Sequence, residues 1–223
     1  MRLLVTRPEP GASATQAALA ARGHVAVLSP CLTISPLPVR LPAQAAALIV
    51  TSGQAVPALP TAWADIPVFC VGDATAARLR QAGFHRVESA AGDAADLARL
   101  IIGRRLAGLH VMAVGERHGL ALARQLGGAG VSVVRRTVYR ARPLRALSAP
   151  AAAALMTGGL DGVLFYSAES AKAFARLAPA GTAPLTAYAL SAAVAAAAQS
   201  LPWTKIRVAV APTEADMMAL LDD

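Results

Sequence analysis

Tyr139 is the residue in this chain whose type and setting point first to proton transfer. It lies in the run Val131–Pro143, VSVVRRTVYRARP, among Arg135, Arg136, Arg140 and Arg142. A phenol set in a cationic strand is a candidate weak acid. The plainer reading is an edge strand with solvated arginines and a half-buried Tyr, and the stretch taken alone favours it. A second group of residues suits anion binding: Thr6-Arg7, Thr51-Ser52, Gly72 to Thr75, Gly115-Glu116, Ser167, Ser191 and Pro212-Thr213. Each comes after an apolar run and precedes a helical one. Helix N-termini present unbonded N–H groups and partial positive charge, so such a set could hold carboxylates or phosphates. Taken singly, each of these Ser or Thr reads more readily as a simple N-cap.

Several other chemistries lack their residues. There is no GxGxxG after a strand, no GxxxxGK[ST], no HExxH and no GxSxG. Gly127-Gly-Ala-Gly130 comes after a helix and reads as its stop. The four histidines, His24, His85, His110 and His118, have no ligand spacing, so no metal site is expected. Cys31 and Cys70 are far apart without CxxC spacing, which suits a reducing compartment.

The elements that must carry these residues alternate. Short apolar strands are expected at Leu3–Thr6, Val25–Leu28, Ala45–Thr51, Val68–Val71, Arg86–Ser89, Val111–Val114, Val163–Tyr166, Thr186–Leu190 and Lys205–Ala211. Helices come after most of them: Ala14–Ala21 with Ser13 as N-cap, a short one ending at Leu59, Ala76–Ala82, Ala94–Ile102, Leu120–Gln125, Ala149–Met156, one reaching Leu177, Ser191–Gln199, and one ending at Leu221. Strand–helix alternation argues α/β architecture with parallel sheets.

The run Val131–Pro143 is too long for one ordinary strand. A repeat accounts for it. Leu48–Leu59 (LIVTSGQAVPAL) resembles Val163–Phe174 (VLFYSAESAKAF). Val68–Phe84 parallels Thr186–Pro202, and Ala90–Ile101 parallels Val210–Leu221. The N-terminal RLLVTRPE…RGHVAVL matches His110–Val134 instead. The repeat implies two similar lobes, each a five-stranded parallel sheet with flanking helices. One is discontinuous, residues 1–30 plus 143–223, and the other, 36–136, is inserted into it. Residues 31–35 and 137–142 would form a two-stranded antiparallel linker. Ligands of open parallel sheets bind beyond the strands' carboxyl ends, where the anion-binding set falls.

Composition narrows the partners. Of 223 residues, Lys and Arg number 21 against 13 Asp and Glu, a formal charge of +8. This favours an anionic ligand. No basic helix or basic–aromatic run suggests nucleic acid. The chain is 56% hydrophobic, but alanine supplies much of this and no run has the ~20 apolar residues of a spanning helix. MRLLVTRPEP lacks a signal-peptide core, so a cytoplasmic location is expected, without a membrane partner. A monomer is the default expectation.

The motifs LVTRPEP (Leu4–Pro10), LIVTSGQAV (Leu48–Val56), VGDATA (Val71–Ala76), TVYRARP (Thr137–Pro143), LFYSAES (Leu164–Ser170) and VAPTEADM (Val210–Met217) occur in order along nearly the whole chain. Together they resemble the uroporphyrinogen-III synthase family. The resemblance implies two α/β lobes on a two-stranded linker. It implies a lyase, a cofactor-independent cyclising dehydratase that converts hydroxymethylbilane to uroporphyrinogen III with loss of water and inversion of ring D. The substrate would be a linear tetrapyrrole with eight carboxylates. Tyr139 matches the family tyrosine proposed as the acid that helps hydroxide leave. A phenol's pKa of about 10 falls beside arginines, which stabilise the phenolate. Ser52, Thr75 and Ser167 match cleft-lining positions, and Arg7 is a possible propionate partner. Where the family commonly has Gly-Pro-Thr-Thr, this chain has Ser191-Ala-Ala-Val194. That departure feeds the alternative reading, a non-catalytic tetrapyrrole- or polyanion-binding protein of the same fold.

Overall fold

The computed structural model describes residues 1–177 and 180–222. In chain order the elements are β1 (Arg2–Val5), α1 (Gly11–Ala20), β2 (Val25–Leu28), β3 (Leu32–Pro36), β4 (Ala47–Val50), β5 (Val68–Cys70), α2 (Asp73–Gln81), β6 (Val87–Ser89), α3 (Ala94–Arg104), β7 (His110–Gly115), α4 (Leu120–Gly128), β8 (Val133–Pro143), α5 (Ala149–Met156), β9 (Gly162–Phe165), α6 (Ala168–Leu177), β10 (Thr186–Ala189), α7 (Ala192–Ala198), β11 (Lys205–Val208) and α8 (Glu214–Ala219). Short 3₁₀ helices lie at Gly53–Ala58 and Thr61–Trp63. The chain divides into two compact units, Met1–Thr33 with Arg142–Asp223, and Ile34–Ala141.

The first unit holds a five-stranded sheet in the order β11-β10-β9-β1-β2. Every pairing in it is parallel. Leu3 of β1 stands opposite Ala26 on one side and Gly162 on the other. Apolar runs suit such strands because both faces are covered by helices. Leu4 packs in one core cluster with Phe165, Phe174 and α5, while Leu3 and Val5 pack in the other with Met217 and Met218 of α8. Phe165, Phe174 and Trp203 meet ring to ring, with centroids 5.4 to 6.1 Å apart.

The second unit repeats this order. Its strands run β3-β8-β7-β4-β5-β6, and from β8 to β6 the pairings are parallel. Aligned by the sequence repeat, β7, β8, β4, β5 and β6 correspond to β1, β2, β9, β10 and β11, and the neighbours are the same. Leu48 and Val50 face one cluster, Ala47 and Ile49 the other.

Several sequence expectations are corrected. This sheet has six strands, because β3 pairs with β8. Leu37 N donates to Val138 O and Leu144 N to Cys31 O, the reversed numbering of an antiparallel pair. Ser13 is not the N-cap of α1. The helix begins at Gly11 after Pro10, and the Glu9 carboxylate accepts from Ser13 N (3.2 Å) and Oγ (2.9 Å), doing a cap's work from outside. α2 begins at Asp73 rather than Ala76, since Gly72 in extended conformation leads straight into the helix. The helix expected before Leu59 is 3₁₀, with Pro57 inside it and unable to donate.

Gly162 and Gly103 provide a paired test of this packing. A Cβ on Gly162 would stand 2.6 Å from Thr186 O and 2.6 Å from Tyr188 Cε2, whereas one on Gly103, exposed within α3, would meet nothing within 4 Å. Gly162→Ala should cost about 1–3 kcal/mol of unfolding free energy by overpacking, and Gly103→Ala should add about 0.5–1 kcal/mol. Urea unfolding of both variants checks the two signs.

Candidate active site

Parallel pairing puts the carboxyl ends of all five strands of the first unit on one edge of its sheet. Thr6, fully buried at the end of β1, donates to Leu164 O at 2.8 Å and fixes β1 to β9 just before the chain leaves the sheet. Arg7 comes next. Its Nη1 donates to Glu214 Oε2 (2.9 Å) and to Thr15 Oγ1 (3.2 Å), and its guanidinium carbon sits 3.9 Å from the centre of the Tyr166 ring. Tyr166 Oη donates to Glu214 Oε1 at 2.7 Å, and Thr15 Oγ1 donates to the same oxygen at 3.2 Å. Four residues from the β1 end, α1, the β9 end and α8 thus form one closed network.

The other expected residues of this unit act as helix starts. Ser167 Oγ accepts from Ser170 N at 3.1 Å and meets Ser170 Oγ at 3.0 Å, capping α6. Thr213 Oγ1 accepts from Asp216 N at 3.1 Å and donates to the Asp216 carboxylate, capping α8. Ser191 occupies the cap position of α7 with no side-chain cap bond.

In the second unit, Ser52 lies just past β4 and its Oγ accepts from Gln54 N at 3.3 Å. Gly72 is the extended residue before α2, and Thr75 is the third residue of that helix. Arg78 of α2 lies over Gly53, where a Cβ would stand 2.7 Å from Nη1. Tyr139 is 6% exposed. Val114 pairs with Thr137 and Gly115 with Tyr139, so Val138 is a bulge. The extra residue breaks the two-residue alternation and lets Val138 and Tyr139 both be buried. The ring lies on Gly115, where a Cβ would meet Cζ at 2.7 Å and Oη at 2.9 Å. Gly115 therefore reserves the space the phenol occupies.

The arginines around Tyr139 have definite partners. Arg135 donates to the carbonyls of Gly115, Glu116 and His118 at 2.6–3.1 Å. Arg136 donates to the carbonyls of Arg40 and Arg135. Arg140 forms a two-point pair with Glu116, and that carboxylate holds its guanidinium protonated beyond the ordinary arginine range. Much of the cationic charge read around Tyr139 in the sequence thus anchors the β7–α4 turn.

Sequence reasoning missed Tyr166, Thr15 and Glu214. LFYSAES and APTEADM contain two of them, but nothing local says that residues 15, 166 and 214 meet at Arg7. Burial pushes the Tyr166 phenol well above its usual range, with the Glu214 charge adding to the rise. Burial also raises the thiols, Cys31 to about 12 and Cys70 to about 11, so neither is an active nucleophile. Among the described residues, no group of three His, Cys, Asp or Glu could hold a metal ion, and no helix is long and apolar enough to cross a membrane.

Residues 13–219 match the family model described as uroporphyrinogen-III synthase HemD. The fold is similar to that of uroporphyrinogen-III synthetase from Helicobacter pylori, with TM-score 0.65 and 17% identity over 99% of this chain and 98% of that one. It is also similar to a mutant uroporphyrinogen III synthase from Thermus thermophilus, with TM-score 0.55 and 19% identity over 100% and 96% of the two chains. No curated protein matches the sequence. The chain belongs to the uroporphyrinogen-III synthase family, enzymes of porphyrin and haem biosynthesis.

The raised phenol of Tyr166 has a consequence for stability. The folded protein binds that proton more tightly than the unfolded chain, whose tyrosines titrate near 10. Stability from this group is complete below about pH 10 and is lost as pH rises above it. Tyr166→Phe removes the ionisable group, so its unfolding free energy should fall less than that of the parent between about pH 9 and 11. Denaturant titrations at the two pH values measure the difference.

Proposed function

We propose that the chain closes hydroxymethylbilane to uroporphyrinogen III, the reaction of its family, as a cofactor-independent lyase. The observation that carries this reading is the family match across residues 13–219. The chemistry is redox-neutral. A proton goes to the hydroxymethyl oxygen, the C–O bond breaks, and water leaves an electrophilic azafulvene. The substituted carbon of ring D attacks it to give a spiro intermediate. That intermediate fragments and recloses with ring D reversed, and a proton returns to solvent. One bilane becomes one macrocycle and one water.

Tyr139 is our candidate for the proton donor. Its place in the TVYRARP motif, where the family tyrosine stands, supports that role. Arg7, Ser52, Gly72, Thr75, Ser167, Ser191 and Thr213 are the proposed contacts to the substrate's carboxylates. Backbone N–H groups beside Gly72 and Ser191 would serve where side chains offer little. Uncatalysed closure proceeds without inversion, so the protein's largest contribution is holding the chain of pyrroles in a reactive shape.

The test is product analysis. Freshly made hydroxymethylbilane should yield the type III isomer with the protein and the type I isomer without it. Type I alone in both reactions rejects the activity and leaves a binding protein. For Tyr139→Phe, turnover should fall about 10²–10⁴-fold, the range of general acid catalysis. A fall of less than about tenfold, with the melting temperature unchanged, assigns the phenol to packing instead.

A further inference from the structure

Arg7 is held at one nitrogen and unspent at two. Nη1 carries both of its hydrogen bonds, to Glu214 and Thr15. Nε and Nη2 donate to no acceptor among the described residues, and a quarter of the side chain (25%) is exposed. Those two nitrogens form the edge that takes a carboxylate in two parallel bonds. Gly11 keeps the guanidinium close to the backbone. A Cβ there would stand 2.4 Å from Nε, 2.7 Å from Cζ and 2.9 Å from Nη2. Cζ is no farther than Nη2, which places the glycine over the guanidinium plane and not across its donor edge.

The partners of Nη1 are themselves bonded to one another. Glu214 Oε2 takes Arg7, and Oε1 takes both Tyr166 Oη and Thr15 Oγ1. Tyr166 also stacks against the guanidinium at 3.9 Å. A mobile arginine gives up rotamer freedom when a ligand orders it. Here the protein has ordered it in advance.

We propose that the Nε/Nη2 edge of Arg7 receives a substrate carboxylate, and that Glu214, Tyr166 and Thr15 are the positioning residues that aim it. This rests on the proposed cyclisation and assigns one carboxylate subsite within it. The opposing interpretation is that Glu214 occupies Arg7 in the ligand's place. The two differ in sign. An aiming carboxylate strengthens substrate binding, whereas a competing one weakens it.

The experiment has two readouts, with melting temperatures for every variant. One is steady-state kinetics on hydroxymethylbilane, following the type III product. The other is binding of uroporphyrin III, an unreactive octacarboxylate, by tryptophan quenching, which tests the subsite independently of turnover. If the parent protein forms no type III, the functional reading fails, and the binding arm still decides the subsite. With activity present, Glu214→Gln should raise KM, and the uroporphyrin Kd, about tenfold with kcat within about twofold. Tyr166→Phe, which keeps the ring and removes the hydroxyl that bonds Glu214, should move KM the same way by about threefold. Arg7→Gln and Arg7→Lys should both raise KM and Kd, because an ammonium cannot replace a two-point fork. Unchanged or lowered KM and Kd in Glu214→Gln overturn the proposal, as does full rescue by Arg7→Lys. A lower melting temperature with KM and Kd unchanged makes the network structural only and overturns it too.

Discussion

The central constraint is the parallel ladder in which β1 lies between β2 and β9. It joins the beginning of the chain to residues nearly 160 positions later, Leu3 to Gly162 and Val5 to Leu164. Closing so long a loop costs entropy that grows only slowly with length. The compensation is burial. Leu3, Leu4, Val5, Val163, Leu164 and Phe165 are all fully buried, and each such side chain contributes about 1.5–3 kcal/mol. Because every strand of that sheet runs the same way, the loops that begin at Thr6, Tyr166, Leu190 and Ala209 all open on one edge. The Arg7 network exists only because the ladder brings those loops together.

The second unit repeats the ladder and diverges at its rim. Leu48–Leu59 and Val163–Phe174 are related in sequence, and β4 and β9 each lie inside their sheets between two parallel neighbours. The segments after these strands differ. After β9 comes the ten-residue helix α6, whereas after β4 Pro57 limits the chain to a 3₁₀ helix. The arginines differ as well. In the first unit a guanidinium is stacked on a ring and tied to one carboxylate. In the second, Arg135 and Arg136 bind backbone carbonyls, and the bonds of Arg135 fix the turn after β7 beside which Tyr139 is packed.

Much of the architecture could be read in the residues because period and repeat are local signals. Ala149–Met156 has the expected bounds, and Val25–Leu28 is the expected strand. The repeat also anticipates the neighbours of β4 and β9. Three kinds of feature were out of reach. The bulge at Val138 changes which residues face inward without altering the apolar count. The N-cap of α1 is Pro10, without a side-chain bond, and the carboxylate that meets Ser13 N comes from Glu9, one residue before it, where no N-cap pattern looks for an acid. The meeting of Arg7, Thr15, Tyr166 and Glu214 spans 207 positions between its farthest members. No window of sequence contains it. The strand ends could be named, but not which of their side chains were already occupied as caps, as Ser167 and Thr213 are.

This distribution of polar groups bears on how a highly charged, flexible substrate could be controlled. A trough of lysines would attract eight carboxylates, but it would hold every conformation of the bilane about equally. Uniform binding of that kind does not accelerate the chemical step. Small hydroxyls, glycines and backbone N–H groups at strand ends attract more weakly and are more exacting in direction. On the proposed reading, the Arg7 guanidinium among them would add a fixed reference point. Several of this chain's cations are instead matched to its own acids at the surface, as in Arg99 with Asp96, Arg104 with Glu88 and Arg140 with Glu116. On that reading the excess of positive charge would draw a polyanion toward the protein at long range, while selection among its conformations would fall to short, directional bonds. A reaction whose outcome depends on which carbon of ring D attacks needs that second property more than the first.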